Sequence, residues 1–247
     1  MFILALHGFT GCGADFAPLV QLIGGEWHCP ELPGHGPESQ LDCSPKGTLD
    51  CINKALIHYR LAVTTQKILL GYSMGARAAL LHATHHPDVW DALILISGSP
   101  GIENETNRSD RRIADAELAD SIERLGVKTF LEFWQETPLI RSQKEIPTNH
   151  RASMQANRLE NTSVGLAKSL RQFGQGSAPN LWPEIGKITM PTLLITGEKD
   201  TKYTNIAQRM QKVLPNASHV SILNTSHMPH LEQSDSVEKA IKNFLSK

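Results

Sequence analysis

One stretch decides how this chain folds: Lys67-Ile68-Leu69-Leu70-Gly71-Tyr72-Ser73-Met74-Gly75-Ala76-Arg77. An apolar run, typical of a buried strand, ends in Gly-x-Ser-x-Gly, and a small-residue helical pattern begins at once. The serine therefore occupies a sharp corner between a strand and a helix, the arrangement called a nucleophile elbow. Its glycines allow backbones to approach closely, and the helix N-terminus adds N–H groups and partial positive charge. The same five residues also fit an ordinary turn, so the rest of the chain must decide.

The composition describes a globular protein with a sizeable core. Of the 247 residues, 40% are hydrophobic and 20% are charged, and the formal net charge is −1. This balance gives no reason to expect binding to nucleic acid or to a membrane. The N-terminus lacks the basic segment of a signal peptide, and no apolar run is long enough to span a bilayer, so we expect a cytoplasmic protein. The oligomeric state is not indicated.

The cysteines show neither a disulfide framework nor a metal-binding motif. All four lie in the first quarter of the chain, without Cys-x-x-Cys spacing: Cys12, Cys29, Cys43 and Cys51. We therefore expect reduced thiols and no metal site.

Short apolar strands alternate with helical patterns, which predicts a mostly parallel sheet flanked by helices. Predicted strands cover residues 2–6, 27–29, 68–70, 92–96, 191–197 and 220–223. Beside the elbow helix, predicted helices cover residues 15–23, 48–63, 205–213 and 234–245. Between residues 101 and 182 helical periods dominate, at 113–125, 127–134, 145–159 and 164–173. We predict an α/β core from residues 1–100 and 183–247, with a helical lid inserted at 101–182.

Two polar residues follow predicted strands and complete a catalytic pattern with Ser73. Asp200 follows the strand that ends at Gly197, and His227 follows the last predicted strand. The carboxyl ends of parallel strands meet at one edge of a sheet, so the three side chains should lie together. Serine, acid and histidine in this chain order are typical of the α/β-hydrolase fold. A serine hydroxyl needs an adjacent base, and the imidazole needs a carboxylate to fix its tautomer.

Two neighbours compete for these roles. Glu198 is an alternative acid, and Asp200 would then only cap a turn. His230 is an alternative base, but it lies further from the strand end, and we expect it only to pair with Glu232.

The loop after the first strand, His7-Gly8-Phe9-Thr10-Gly11, suits an oxyanion hole. We predict that the backbone N–H groups of Phe9 and Met74 together stabilise negative charge near Ser73. Alone, the loop also fits an ordinary turn between a strand and a helix.

Arg77 indicates the kind of molecule that the serine meets. It follows Ser73 by four residues on the same helix face, and helical side chains lean toward the N-terminus. A buried cation there is costly without an anion. The fork of the guanidinium would suit a carboxylate-bearing substrate. The alternative is a structural salt bridge.

The predicted lid carries further cations and one aromatic candidate. Most of these arginines must be solvated, and the sequence alone does not select among them: Arg108, Arg111, Arg112, Arg124, Arg141, Arg151, Arg158 and Arg171. Trp134 either walls the pocket or packs in the lid core.

With these residues assembled, the chain resembles the α/β-hydrolase superfamily over nearly its whole length. Within it, the chain is similar to the family of 2-succinyl-6-hydroxy-2,4-cyclohexadiene-1-carboxylate synthases of menaquinone biosynthesis. The specific motifs are Gly-Tyr-Ser-x-Gly-x-Arg at 71–77, Ser-Pro-Gly-Ile at 99–102 with Arg111 downstream, and Arg-Leu-Glu-Asn at 158–161. Glu31 stands where many relatives carry aspartate.

The resemblance implies a lyase whose triad drives elimination of pyruvate from a tricarboxylate cyclohexene intermediate. It implies that Arg77, Arg111 and Arg158 bind this small acidic substrate, and that Tyr72 and Trp134 line the pocket. It implies no metal and no organic cofactor. The chain begins at the strand before His7, so the resemblance also implies a smaller sheet than in many relatives.

Two other classes stay open. A serine hydrolase for an acidic substrate, either a carboxylesterase or a carbon–carbon bond hydrolase, would use the same triad. A non-catalytic binding protein would keep the fold and commonly lose a triad member.

Overall fold

The fold is built on a parallel sheet whose inner strands are buried on both faces. The computed structural model describes residues 1–58 and 65–246. Its strands are β1 (Phe2–Leu6), β2 (Glu26–His28), β3 (Lys67–Tyr72), β4 (Ala92–Ile96), β5 (Thr192–Gly197) and β6 (Ala217–Ile222). The spatial order is β2-β1-β3-β4-β5-β6, with all neighbours parallel. Continuous apolar runs such as β1 and β4 suit this position, because a parallel sheet is covered by helices on both sides.

Helices cover both faces of the sheet. In the described residues they are α1 (Ala17–Ile23), α2 (Pro45–His58), α3 (Met74–His85), α4 (Glu105–Trp134), α5 (Thr148–Arg158), α6 (Ser163–Phe173), α7 (Thr201–Val213), α8 (Pro229–Glu232) and α9 (Ser234–Leu245). On one face, Leu4 and Leu69 pack in a cluster with residues of α3. On the other face, Ile3 and Ile68 pack in a cluster with residues of α1 and α9. Each fully buried leucine or isoleucine stabilises the fold by roughly 1.5–3 kcal/mol.

Helices α4, α5 and α6 form a helical insertion between β4 and β5. Helix α4 is broken at Gly126, whose φ of 78° and ψ of 161° are not helical. The break lies between the two helices that the sequence predicts at 113–125 and 127–134. Helices α4 and α6 bury a small core of their own, which includes Ile122 and Leu166. The division of the chain into a core and a lid at residues 101 and 182 stays a prediction.

Several predicted boundaries differ from those observed. The helix predicted at 15–23 begins as a short 3₁₀ helix, Gly13–Phe16, and continues as α1. Helix α7 begins four residues earlier than predicted, because the side chain of Asp200 caps it by accepting from the N–H of Tyr203. The short helix α8 was not predicted. The end of the helix predicted at 48–63, with Tyr59 and Val63, lies outside the described residues.

The sheet places the candidate site at its carboxyl edge. Strands β1, β3 and β5 end at Leu6, Tyr72 and Gly197, each just before a predicted site segment. His227 follows β6 in the same way. The parallel topology therefore brings four loops from distant parts of the sequence to one edge.

Candidate active site

Ser73 lies at a tightly packed corner between β3 and α3. Its φ is +50°, a left-handed value that is uncommon outside glycine, and its N–H donates to the carbonyl oxygen of Ile96 across 2.9 Å. A Cβ added to Gly71 would lie 2.4 Å from the carbonyl oxygen of Gly75. One added to Gly75 would lie 1.9 Å from the carbonyl oxygen of Leu6. The two glycines thus allow the contacts that hold the serine at the corner.

His227 joins Ser73 to Asp200 through its two ring nitrogens. Nε2 lies 3.0 Å from the Ser73 hydroxyl oxygen, and Nδ1 lies 2.6 Å from Oδ2 of Asp200. The other carboxylate oxygen of Asp200 accepts from the N–H of Tyr203 across 3.3 Å. His227 and Asp200 are both buried. The structure therefore brings the predicted triad residues together. Because the Asp200 carboxylate can only accept, Nδ1 carries the proton and Nε2 is left to accept the serine proton. Their catalytic roles stay a prediction.

The competing acid and base lie elsewhere. Glu198 is exposed and accepts from the N–H of Asn224 across 2.9 Å. His230 is fully buried beside Tyr72, with ring centroids 4.5 Å apart, and burial lowers its pKa to about 3. Within residues 1–58 and 65–246, neither ring nitrogen of His230 has a hydrogen-bond partner.

The expected pairing of His230 with Glu232 is wrong. The carboxylate of Glu232 instead accepts from the N–H groups of Ser226 and Met228, across 2.6 and 3.0 Å. These residues flank His227, so Glu232 holds the loop that carries the imidazole. Both carboxylate oxygens of Glu232 are thus occupied by backbone donors, which accounts for the different pairing.

The predicted oxyanion loop is held from two sides. Phe9 lies in the loop after β1, and Met74 is the first residue of α3, where N–H groups have no partner within the helix. Next to Phe9, the N–H of Thr10 donates to Nε2 of His35 across 3.3 Å. The carbonyl of Thr10 accepts from the side chain of Asn161 across 3.0 Å. Burial lowers the pKa of His35 to about 3, so its ring stays neutral and able to accept.

A cavity of about 340 Å³ opens onto Ser73 and His227. Its walls are largely apolar and include Phe9, Trp134, Leu170 and Phe173. Four basic side chains line it: Arg77, Arg111, Arg158 and Lys202. Among its lining residues in the described chain there is no aspartate or glutamate. Such a cavity favours a small ligand with several negative charges.

Arg77 is buried without a carboxylate partner. It is 7% exposed, and its Nη2 donates to the carbonyl oxygen of Phe173 across 3.2 Å. Its Nε has no hydrogen-bond partner in the described chain. Burial lowers the pKa of the guanidinium, and no carboxylate of the described residues lies within ion-pair distance. The structure therefore does not support the alternative of a structural salt bridge.

Two arginines of the helical insertion line the same cavity. Arg158, the last residue of α5, is 6% exposed, and burial lowers the pKa of its guanidinium while the charge of Asp15 opposes this effect. Arg111 is half-buried, and its Nε donates to Asp115 across 2.7 Å. By contrast, Arg171 forms surface ion pairs with acidic residues of α4. Of the insertion's candidate arginines in the described chain, Arg111 and Arg158 are those that reach the cavity.

Tyr72 and Trp134 also line the cavity. The ring of Tyr72 lies 5.5 Å from that of His227, and burial raises the tyrosine pKa well above its usual value. Trp134 stacks on Phe130, with centroids 5.6 Å apart, and meets Phe9 edge to face at 5.8 Å. Trp134 therefore takes both predicted positions, as a wall of the cavity and as part of the packing of the insertion.

Comparison with known proteins gives the family. The chain matches the sequence pattern of the alpha/beta hydrolase family over residues 3–240. The chain belongs to the alpha/beta hydrolase family. The predicted family and fold class are thus confirmed.

Individual known proteins resemble the chain over nearly its whole length. A Bacillus subtilis (strain 168) protein, provisionally named a 2-succinyl-6-hydroxy-2,4-cyclohexadiene-1-carboxylate synthase, is 32% identical over 99% of this chain and 90% of its own length. The synthase of that name from Salmonella arizonae is 27% identical over 99% of this chain and 93% of its own length. The structure of MenH from S. aureus matches with a TM-score of 0.92 and 32% identity, covering 100% of this chain and 93% of that one.

Some cavity residues of this alpha/beta hydrolase were not predicted. Lys202 follows Asp200 by two residues, and its place in the first turn of α7 was the available signal. Gln143 lies in a short 3₁₀ helix, Arg141–Glu145, which carries no periodic pattern. Gln175 follows α6 and donates to the hydroxyl of Tyr203 across 3.2 Å. The positions of Gln143 and Gln175 depend on how the insertion packs against the rest of the chain.

Residues 1–58 and 65–246 contain no group of three or more histidine, cysteine, aspartate or glutamate side chains arranged to hold a metal ion. Among the helices described, none combines the length and apolar character needed to cross a bilayer. The cysteines named above are free.

Proposed function

We propose that this protein is a carbon–oxygen lyase that eliminates pyruvate from a tricarboxylate cyclohexene intermediate of menaquinone biosynthesis. The product would be 2-succinyl-6-hydroxy-2,4-cyclohexadiene-1-carboxylate, which the names of the relatives specify. One observation carries the proposal: the cavity that opens onto Ser73 is lined by four basic side chains and, among its described residues, by no carboxylate. A neutral ester would leave the buried guanidinium groups of Arg77 and Arg158 without partners, whereas a polyanion would satisfy them.

Arg77, Arg111 and Arg158 are the proposed partners of the substrate carboxylates. Arg77 and Arg158 are buried and have lost hydration, so each gains from an anion that enters the cavity. A guanidinium can meet a carboxylate with two parallel hydrogen bonds, which fixes orientation as well as charge. The aromatic side chains of Tyr72 and Trp134 supply flat walls against which the cyclohexene ring of the substrate can pack. The partner is thus a small acidic molecule, and we place the reaction in the cytoplasm.

The proposed chemistry is a sequence of proton transfers. Asp200 orients His227, which takes the hydroxyl proton of Ser73. The serine oxygen then takes a carbon-bound proton from the ring, and the electron pair left behind forms a new ring double bond. The carbon–oxygen bond to the three-carbon group breaks, and its electrons leave on the oxygen. The departing enolate gains a proton, which His227 can return, and becomes pyruvate. No step needs a metal or an organic cofactor.

The N–H groups of Phe9 and Met74 are proposed to stabilise the charge that develops during proton removal. A ring proton next to the succinyl carbonyl is acidic because the charge moves to the carbonyl oxygen. One oxyanion donor typically contributes ~3–4 kcal/mol to such a step. The hydrogen bonds that His35 and Asn161 make to Thr10 support this role, since they hold the loop in place before the substrate arrives.

Pyruvate release from the cyclohexene substrate tests the proposal. We expect wild-type protein to release pyruvate and the Ser73→Ala variant to be slower by about 10³-fold or more. The exposed Ser153 offers a matched control, and Ser153→Ala should keep wild-type turnover. Near-normal turnover by Ser73→Ala would exclude the serine as the base.

The same assay separates the lyase from a hydrolase. The hydrogen bond between Ser73 and His227 also suits acyl transfer. A panel of neutral and acidic aryl esters, with mass spectrometry for an acyl adduct on Ser73, measures that activity. High ester turnover with an acyl intermediate and no pyruvate release would favour the hydrolase.

A further inference from the structure

Several buried polar side-chain atoms have no hydrogen-bond partner within residues 1–58 and 65–246. Four of these atoms belong to side chains that line the cavity: Nε of Arg77, Nε of Arg158, Nε1 of Trp134 and Oε1 of Gln143. The first three are N–H donors, and the fourth is an acceptor oxygen. A buried polar atom without a partner costs free energy that a ligand can recover. The pattern indicates a ligand rich in acceptors that presents a donor to Gln143.

The orientation of the Gln143 amide is set by its neighbour. The side chain is 5% exposed, and its nitrogen donates to the thioether sulfur of Met228 across 3.5 Å. Because that sulfur can only accept, the amide nitrogen must face it and the amide oxygen must face away. Met228 directly follows His227, so Gln143 lies against the loop that carries the imidazole. Its backbone N–H donates to Ile140 across 2.9 Å, which fixes the position of the residue.

We propose that the side-chain oxygen of Gln143 accepts a hydrogen bond from the ring hydroxyl of the substrate, and that this residue selects hydroxylated ring acids. The identity of the hydroxyl rests on the proposed function. The product name places a 6-hydroxyl beside the ring carboxylate. Elimination breaks a carbon–oxygen bond and adds no oxygen to the ring, so the substrate already carries this group.

The hydroxyl is also the one donor that such a ligand offers. At neutral pH its carboxylates and its ketone only accept hydrogen bonds. They match Arg77, Arg111, Arg158 and the predicted oxyanion donors. The O–H proton of the hydroxyl matches none of these donors and requires an acceptor, which Gln143 supplies.

A neutral amide suits this position better than a carboxylate. Glutamate would also accept from a hydroxyl, but its charge would neutralise nearby arginines and repel the anionic ligand. Glutamine accepts without altering the charge of the cavity. This accounts for an acceptor in a cavity whose described lining lacks acidic side chains.

Two small ring acids test the proposal without depending on turnover. The probes are 2-hydroxycyclohexane-1-carboxylate, as separate cis and trans isomers, and cyclohexane-1-carboxylate, with affinities measured by NMR titration. We expect wild-type protein to bind the better hydroxy isomer about 10-fold tighter than the acid without a hydroxyl. Gln143→Leu should bind the two acids equally, and Gln155→Leu, at an exposed position of α5, should keep the wild-type ratio.

Several results would overturn the proposal. They are a wild-type ratio near one, failure of the hydroxy acid to bind, or an unchanged ratio in Gln143→Leu. A purely structural role predicts weaker binding of both acids with the ratio kept.

Turnover gives a second readout. With the intact substrate, Gln143→Leu should lower kcat/KM by about 10-fold, whereas a 6-deoxy substrate should react equally with both proteins. An equal loss for both substrates would contradict the proposal. Absence of pyruvate release from wild-type protein would instead contradict the proposed function, and the affinity ratio of the ring acids would still decide the role of Gln143.

Discussion

The side-chain nitrogen of Asn161 donates a hydrogen bond to the carbonyl oxygen of Thr10 across 3.0 Å, joining residues 151 positions apart. The same side chain accepts from the N–H of Gly36 across 3.1 Å and donates to the carbonyl of Arg158 across 3.1 Å. Asn161 therefore ties the end of α5 to the loop that carries Phe9. Arg158, proposed to bind the substrate, and the N–H of Phe9, proposed to stabilise charge, are therefore held in place by the same buried side chain.

Replacing Asn161 by aspartate should slow the reaction. Aspartate still accepts from Gly36 but can no longer donate to Thr10, so the loop with Phe9 loses a restraint. We expect kcat to fall by about 10-fold, the size of effect that removal of one hydrogen bond and its alignment produces. Asn149→Asp, at an exposed position of the insertion, is the matched control. Steady-state kinetics with equal kcat for both variants would show that the anchor does not act on the site.

Removing the buried charge of Arg77 should separate stability from function. Its guanidinium lacks a carboxylate partner in the described chain, so Arg77→Met should raise the free energy of unfolding by about 1 kcal/mol or more. The same change should lower kcat/KM for the acidic substrate by about 100-fold, since a charge-assisted contact is lost. Urea unfolding and kinetics measure the two effects. Arg171→Met, which removes surface ion pairs, should leave kcat/KM unchanged. Parallel losses of stability and activity in Arg77→Met would count against a binding role.

Gly75→Ala should destabilise the fold strongly. The added Cβ would lie 1.9 Å from the carbonyl oxygen of Leu6, at the buried contact between β1 and α3. We expect a loss of about 3 kcal/mol or more in urea unfolding. Gly186 is a suitable control, because a Cβ added there would have its nearest neighbours 3.7 Å away. Gly186→Ala should therefore be nearly neutral, and a similarly neutral Gly75→Ala would show that the elbow can widen.

His230 should make stability depend on pH. Burial lowers its pKa from 6.5 to about 3 in the folded protein. Below pH 6.5 the unfolded chain therefore binds a proton that the folded protein does not, so stability is lost as the pH falls toward 3. Between pH 7 and pH 5 this group contributes a loss of about 2 kcal/mol.

His230→Phe isolates that contribution. Phenylalanine keeps the ring contacts with Tyr72 and Phe16 and does not titrate. Other buried histidines, such as His35 and His82, act in the same direction in both proteins. The variant should therefore lose about 2 kcal/mol less than wild type between pH 7 and pH 5 in urea unfolding. Identical pH dependence would mean that His230 is protonated in the folded protein or stays neutral in both states.

Local sequence patterns predicted the sheet and the positions of Ser73, Asp200 and His227. Buried strands carry continuous apolar runs, and parallel topology brings their carboxyl ends to one edge, so residues that directly follow strands were predictable. The spacing of four residues on one helix face predicted that Arg77 reaches back toward Ser73, and the family resemblance then implied a substrate-binding role for it. These inferences need only short-range patterns and a rule of chain topology.

Prediction was weaker where a residue's position depends on contacts between distant segments. Helical periodicity indicates which face of an insertion helix is apolar, but it does not show which arginine on that helix reaches the cavity. The anchoring by Asn161 and the orientation of Gln143 arise from partners far along the chain.

By itself, then, the sequence determined the fold class, the serine corner and the residues that meet at the edge of the sheet, because backbone sterics and apolar periodicity act locally. Only the tertiary structure showed that Arg111 and Arg158, which the family resemblance implied, line the cavity, that Glu232 holds the His227 loop instead of pairing with His230, and that the side-chain oxygen of Gln143 is buried without a partner in the described chain. The physical reason is that hydrogen bonding and desolvation depend on every group packed around a side chain, and those groups come from several separate segments.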